Sequence, residues 1–212
     1  MKVHDIEQRT KKWRQVRQGV ITASNFHKLA GARGIGKMGE SYVYELAAGM
    51  KEVEIPDVFA KAMEWGTDLE PDAFEYYKLI LKEQAPDMKA EKIGFCSHDK
   101  LPAGCSPDGI VYESHGVEIK CPYNPGNHIK HMMITDAASL LDMESKYYWQ
   151  VMFSMWVTGM KLWHFVSYDP RFTGRDRMHI ASIHLPDDIG EFIEERVTDA
   201  QKLLNTIMER IG

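Results

Sequence analysis

The chain is 212 residues long, 44% hydrophobic, and carries a formal net charge of −5. That length and apolar content suit one domain with a real core. The acidic balance excludes a polycation that coats nucleic acid by bulk charge, yet leaves room for a local basic path. In chain order, residues 6–19 form a polar, basic leading segment with Trp13 embedded. Thr22 to Leu29 reads as a short helix with Thr22 or Ser24 as N-cap. Gly31 to Gly39, rich in glycine and carrying Arg33 and Lys37, reads as a mobile loop. Ser41 to Ala48 reads as a helix closed by Gly49. A long helical stretch is expected over 57–82, interrupted near Gly66 and Pro71. Residues 91–121 read as β-structure. Ile129 to Met143 reads ambiguously, with helix preferred. Lys146 to Val157 reads as a helix, Leu162 to Tyr168 as a strand, and Arg177 to Leu185 as another. Asp187 is expected to cap a final amphipathic helix with Ile189, Ile193, Val197, Ala200, Leu204 and Ile207 along one stripe. This order predicts an α+β or mixed α/β core, with a mostly antiparallel sheet flanked by helices.

Several classes fall away. The most apolar window, 147–166, contains Gln150, Lys161 and His164 and does not suit a membrane span. Met1 to Arg14 is polar and charged, so no secretory signal is expected there. The three cysteines form no CxxC pair; disulfides, a structural zinc site and a four-cysteine iron–sulfur cluster are not expected, and a reducing cytoplasm fits. No GxxxxGK[ST] string is present, so nothing points to ATP.

The chemistry concentrates in 105–121. Side chains two apart on a strand share a face. Glu118 and Lys120 therefore point one way and Ile119 the other, into a core. Glu113-Ser114-His115-Gly116 is rich in turn formers and can fold the chain back as a hairpin, bringing Asp108 near Glu118. Two carboxylates beside a lysine suit phosphodiester hydrolysis. Mg²⁺ prefers oxygen ligands. Paired ions about 3.5–4 Å apart activate a water and stabilise the leaving oxygen. The lysine either steadies charge in the transition state or helps deprotonate the water. By themselves the three residues also fit a wet surface hairpin.

Three other places bear on this site. Glu70, on the long helical stretch, is either a third carboxylate acting directly or through water, or a solvated helix acid; Asp68, Asp72 and Glu75 are weaker alternatives. Gln150 is the polar residue in an aromatic-rich helix, and a buried glutamine needs partners: it orients a metal-bound water or a carboxylate, or is simply a satisfied core residue. Arg17 precedes a helix start, where free N–H groups and a guanidinium together make a phosphate pocket; an ordinary surface arginine is the plain alternative.

Taken together, the chain resembles the lambda-type phage exonucleases of the YqaJ-type viral recombinase family. The matching strings are Trp13, Arg17 and Gly19 to Ser24; Glu64-Trp65-Gly66 with Glu70; Cys105 to Gly109; Val117 to Pro122; Gln150-Val151 with Ser154 to Thr158; and Tyr168 to Arg171. The resemblance implies a restriction-endonuclease-like core, with 1–212 as a single nuclease domain. It implies a 5′-to-3′ exonuclease that degrades one strand of linear double-stranded DNA to mononucleotides and leaves a 3′ overhang. It implies Mg²⁺, two ions with Mn²⁺ as substitute, held by Asp108, Glu118 and the Ile119 carbonyl. Lys120 becomes the catalytic lysine, with Glu70 and Gln150 in support. Arg17, Ser24 and Ser106 are implied as the 5′-phosphate pocket, and Arg33 as a DNA contact. The family further implies a ring-shaped homotrimer, a phage single-strand annealing protein as partner, and the cytoplasm of a bacterial host. Gly126 departs from the pattern: it stands where a family exonuclease has a pocket arginine, so the pocket has one fewer cation unless His128 or Lys130 is the stand-in, and a weaker or differently built 5′-phosphate preference is expected. Other expectations on the same core are an endonuclease or nicking enzyme; outside enzymes, a non-catalytic module that binds DNA ends.

Overall fold

The computed structural model describes residues 1–51, 53 and 61–212. The Asp57 start expected for the long helix lies outside them. The expected mixed sheet flanked by helices is present, divided into two sheets. The smaller runs β1 (Lys2–His4), β4 (Phe95–Ser97), β5 (Ala103–Cys105), β2 (Ile21–Thr22). The larger runs β3 (Ala90–Glu91), β6 (Gly109–Val111), β7 (His115–Lys120), β8 (Leu162–Tyr168), β9 (Met178–His184). Among the described residues, only β2–β5 and β7–β8 pair in parallel. A parallel pair needs a long crossover. Between β7 and β8 it is made by α5 (Pro125–His131), α6 (Ala137–Met143) and α7 (Ser145–Thr158).

The β6–β7 hairpin turns at Tyr112 to Ser114, with Glu113 in the left-handed region at φ 60°. The turn is one step earlier than the Glu113–Gly116 expectation, because His115 and Gly116 already belong to β7. Gly116 is not a turn residue. It faces Trp163 across the parallel pair, and a Cβ there would lie 2.2 Å from the indole ring, so only glycine allows the close approach.

Side-chain alternation divides the core. Ile119 and Val166 fall in a cluster with Ala73, Phe74, Tyr77 and Leu81 of α4 (Lys61–Gln84). Trp163 and Phe165 face a larger cluster with Val151, Met152 and Met155 of α7 and Val197, Ala200 and Leu204 of α8 (Ile189–Ile211). Ile119 thus faces a core as its parity requires. Glu118 and Lys120, paired in register with Phe165 and Ser167, face the α7 side.

Several helix boundaries differ from expectation. Helix α4 runs through Gly66 and Pro71 without a break. Pro71 stands on its exposed face, where water rather than core meets the missing bond. Helix α3 (Gly36–Met50) starts inside the supposed Gly31–Gly39 loop and passes through Gly49; Gly39 packs on Leu29 and has no room for a side chain. The stretch 129–143, ambiguous in the sequence with helix preferred, holds the end of α5 and all of α6, the latter opened by a capping box at Asp136 and Ser139. Helix α2 (Ala23–Phe26) is a single turn with Thr22 at its N-cap, and Asp188 rather than Asp187 stands at the N-cap of α8. The leading segment holds α1 (Lys11–Val16), and β1 precedes it; the polarity of this stretch concealed both. Among the described residues, no helix is long and apolar enough to cross a membrane. The thiols Cys96, Cys105 and Cys121 are free and buried.

Candidate active site

At the end of β7 the hairpin brings Asp108 beside Glu118. The Asp108 N–H donates to the Val117 carbonyl at 3.1 Å, extending the ladder by one bond. Its carboxylate then replaces a strand partner: the Ile119 N–H donates to Asp108 Oδ2 at 2.6 Å. That bond aims the second carboxylate oxygen elsewhere. Glu118, 2% exposed, accepts on Oε1 from Lys120 Nζ and from Gln150 Nε2, each at 2.5 Å. Lys120 Nζ also lies 4.6 Å from the centre of the Tyr147 ring. Gln150 and Tyr147 are three apart on α7 and so share a face.

Burial and mutual repulsion set the charges. Burial pushes Asp108 well above the ordinary carboxylate range, and the Glu118 charge pushes further. Burial also raises Glu118, against the pull of Lys120. For Lys120, burial favours the neutral amine, but Glu118 and Asp108 outweigh it and hold the ammonium. Glu70 adds a third negative charge that raises both carboxylates. Its own oxygens meet Arg9 Nη2 at 2.9 Å and Lys92 Nζ at 3.7 Å.

All of these groups except Lys92 line one cavity of about 700 Å³, together with Arg17, Ser24 and Ser106. Arg17 lies flat on Trp13, 3.9 Å from the ring centre, and donates from Nη1 to Ser106 Oγ at 3.1 Å. The Trp13 indole N–H donates to the same hydroxyl at 2.9 Å. Arg17 is so enclosed that burial lowers its pKa to about 10. Ser24 Oγ sits 3.5 Å from Thr22 Oγ1.

Of the residues singled out in the sequence, Asp108, Glu118, Ile119, Lys120, Glu70, Gln150, Arg17, Ser24 and Ser106 line this cavity; Arg33 is exposed and does not. Neither expected stand-in for a pocket arginine lines it either. His128 is buried with its ring nitrogens on Ser167 Oγ and the Asp176 carbonyl. Lys130 is held by the Met143 carbonyl and Glu144. The cavity instead takes in Lys146, Tyr147 and Tyr123, which the sequence reading passed over. The spacing of Tyr147 from Gln150 was a usable signal. Arg9 and Lys92 carried none, since their approach to Glu70 is purely tertiary.

Among the described residues, no three His, Cys, Asp or Glu side chains converge as a preformed metal cage. The donors that meet here are hard oxygens, the Asp108 and Glu118 carboxylates, and Ile119, next after Glu118 in the chain, lines the same cavity. That set fits Mg²⁺, which keeps several waters and needs only one or two carboxylates.

Comparison with known proteins bears on the family and the fold. The model of the YqaJ-like viral recombinase domain matches residues 12–161. Two solved structures of an alkaline exonuclease, LHK-Exo from Laribacter hongkongensis, are similar at 26% identity. Each comparison covers 95% of this chain and 96% of that one; TM-scores are 0.78, and 0.79 for the complex with dAMP. A phage-related exonuclease from Haemophilus somnus 129PT shares the fold at 16% identity, over 91% of this chain and 96% of that one, with TM-score 0.72. No curated protein sequence matches the chain.

Proposed function

We propose a metal-dependent 5′-to-3′ exonuclease acting on double-stranded DNA for this chain, which belongs to the YqaJ-like viral recombinase family and has the restriction-endonuclease-like fold. The observation that carries the reading is the meeting of Asp108, Glu118, Lys120 and Gln150 in one cavity with Arg17 and Ser106. The likeness to LHK-Exo, an alkaline exonuclease solved with dAMP, supports the activity class and mononucleotide release.

Asp108, Glu118 and the Ile119 carbonyl would hold Mg²⁺, or Mn²⁺ in its place, which would supply Lewis-acid chemistry for phosphodiester hydrolysis. The chain's own residues do the rest. The terminal 5′-phosphate docks at Arg17, Ser24 and Ser106, where a half-desolvated guanidinium makes strong phosphate contacts. That docking fixes which phosphodiester reaches Asp108 and Glu118, so nucleotides leave one at a time. The Ile119 N–H holds the Asp108 carboxylate in one orientation. Gln150 donates to Glu118 and fixes that carboxylate. Lys120, held as an ammonium, stabilises charge building on the attacked phosphate, which favours that role over general base. Glu70 lowers the cost of bringing further positive charge into the cavity. Arg33 contacts DNA outside it. With Gly126 lacking a side chain, 5′-phosphate preference is weaker than in a pocket with two arginines. A ring-shaped homotrimer and a phage single-strand annealing partner complete the proposal and rest on family membership.

Digestion of end-labelled linear duplex with Mg²⁺ tests the reading. The expected result is 5′-to-3′ loss of mononucleotides, abolished by EDTA, with closed circular duplex left intact. Cutting of closed circles, or release from 3′ ends, overturns it.

A further inference from the structure

The Tyr168-Asp169-Pro170-Arg171 motif has no part in the chemistry above, yet the fold commits a buried charge to it. Asp169 is 0% exposed. Its carboxylate takes a bidentate grip from Arg171, Nε to Oδ1 at 2.8 Å and Nη2 to Oδ2 at 2.7 Å. The rest of the guanidinium fork reaches across to the segment that follows the Lys120 strand. Nη1 donates to the Tyr123 carbonyl and Nη2 to the Pro122 carbonyl, both at 3.1 Å. Arg171 also lies over the Trp65 ring, 4.8 Å from its centre. Tyr123 meets Trp65 edge-on, with ring centres 6.0 Å apart and planes at 81°.

The consequence is an aromatic ring that is pinned at its backbone and at one edge, yet 52% exposed. It lines the same cavity as Asp108 and Lys120. Leaving a tyrosine half exposed forgoes burial, and fixing it there needs the Asp169–Arg171 clamp. Bases of a strand that has left its duplex stack on such rings whatever their identity, because every base has a π-face. We propose that Tyr123 is a stacking platform for an unpaired nucleobase of the strand being cut, and that Arg171, anchored by Asp169, is the positioning residue that holds it at the cavity. This rests on the nuclease reading for the nature of its ligand. It adds a sequence-independent contact that sets the affinity for DNA ends and leaves the chemical step alone. Since the contact is to a ring, the phenol oxygen is dispensable.

The test uses the full chain and two readouts. In steady-state digestion of linear duplex, Tyr123→Ala raises KM roughly tenfold with kcat within about twofold, and Tyr123→Phe restores wild-type KM, as expected for loss and recovery of one base–aromatic stack. In parallel, 2-aminopurine is placed at the terminal and penultimate 5′ positions and its fluorescence followed on binding with Ca²⁺ in place of Mg²⁺. Quenching is expected with the wild type and Tyr123→Phe, and not with Tyr123→Ala. Arg171→Lys, which keeps charge but loses the fork, gives an intermediate KM. Unchanged KM and unchanged quenching in Tyr123→Ala overturn the proposal. So does a change in sedimenting mass on that substitution without loss of quenching, which identifies the ring as a contact between copies of the chain. Quenching that depends on Tyr123 in a protein that cuts no DNA under any metal leaves the stacking site standing and refutes the nuclease.

Discussion

The two ends of the β7–β8 pair bury polar groups of opposite kinds. At the His115 end everything is neutral. Tyr77 Oη bridges His115 Nε2 at 2.7 Å and His164 Nδ1 at 2.8 Å, Ser114 Oγ meets His115 Nδ1 at 2.8 Å, and the two imidazoles lie 3.8 Å apart. Burial drives both histidines down to about 4, His164 further helped by its neighbour, and raises the Tyr77 phenol. At the Lys120 end, on the other face of the sheet and a few residues away, Asp108, Glu118 and Lys120 share a desolvated cavity in which the ammonium is held charged and both carboxyls are pushed towards protonation. A protein interior tolerates polar groups when each donor meets an acceptor, as at the first end. At the second end Asp108 and Glu118 set two carboxyls against the Lys120 ammonium, so a negative charge is left over whenever both are ionised. Such residual negative charge costs stability, and it is what an arriving cation requires.

The sharpest break of this contrast is catalytic. Asp108→Asn and Lys120→Ala should each slow digestion about 10²–10⁴-fold, as expected for loss of a carboxylate or cation acting on the transition state. Asp108→Asn should also weaken Mn²⁺ binding in calorimetry, whereas Lys120→Ala should not. Either variant digesting at wild-type rate removes the assigned roles.

Next in size is the neutral end. Tyr77→Phe strands a nitrogen on each imidazole and should cost about 1–3 kcal/mol in urea unfolding at pH 7.5. The pH dependence has a definite sign. Both histidines have folded values near 4, below the ordinary 6.5. Their stabilising contribution is therefore complete above about 6.5 and is lost as pH falls towards 4. Melting temperature should drop over that window, and less steeply in His115→Gln; equal slopes would show that this cluster is not the titrating one.

A smaller effect runs the other way at the charged end. With EDTA present, Asp108→Asn should be as stable as wild type or more so, by about 1–2 kcal/mol, since it removes a carboxyl whose charged form burial and Glu118 oppose and keeps an acceptor for the Ile119 N–H. Mn²⁺ should raise the melting temperature of the wild type more than that of the variant. A variant less stable than wild type in EDTA would mean the cavity is already balanced. The smallest change is Arg9→Ala. Its ion pair with Glu70 is half exposed on the arginine side and should contribute under about 1 kcal/mol to thermal stability.

Local chemistry made much of the site legible. Alternation along Val117 to Cys121 gave the common face of Glu118 and Lys120, and turn formers gave the hairpin that returns Asp108. The boundaries it missed have local reasons. Gly116 reads as a turn residue until Trp163 is seen to need its bare Cα. Pro71 reads as a break until its exposed position on α4 is known. Residues 36–39 read as loop because glycine propensity is counted before the packing of Gly39 on Leu29.

What the residues determine alone is therefore what depends on near neighbours: strand parity, caps, turns, and the kinds of donor that gather in 105–121. What the tertiary structure decided is everything that depends on distance across the chain. It placed Gln150 on Glu118, Arg9 and Lys92 on Glu70, Arg171 behind Tyr123, and His128 away from the cavity. Hydrogen bonds and dihedral preferences act over a few residues and can be read in order. Burial, and with it the charge state of a carboxylate, exists only once distant segments have excluded water together.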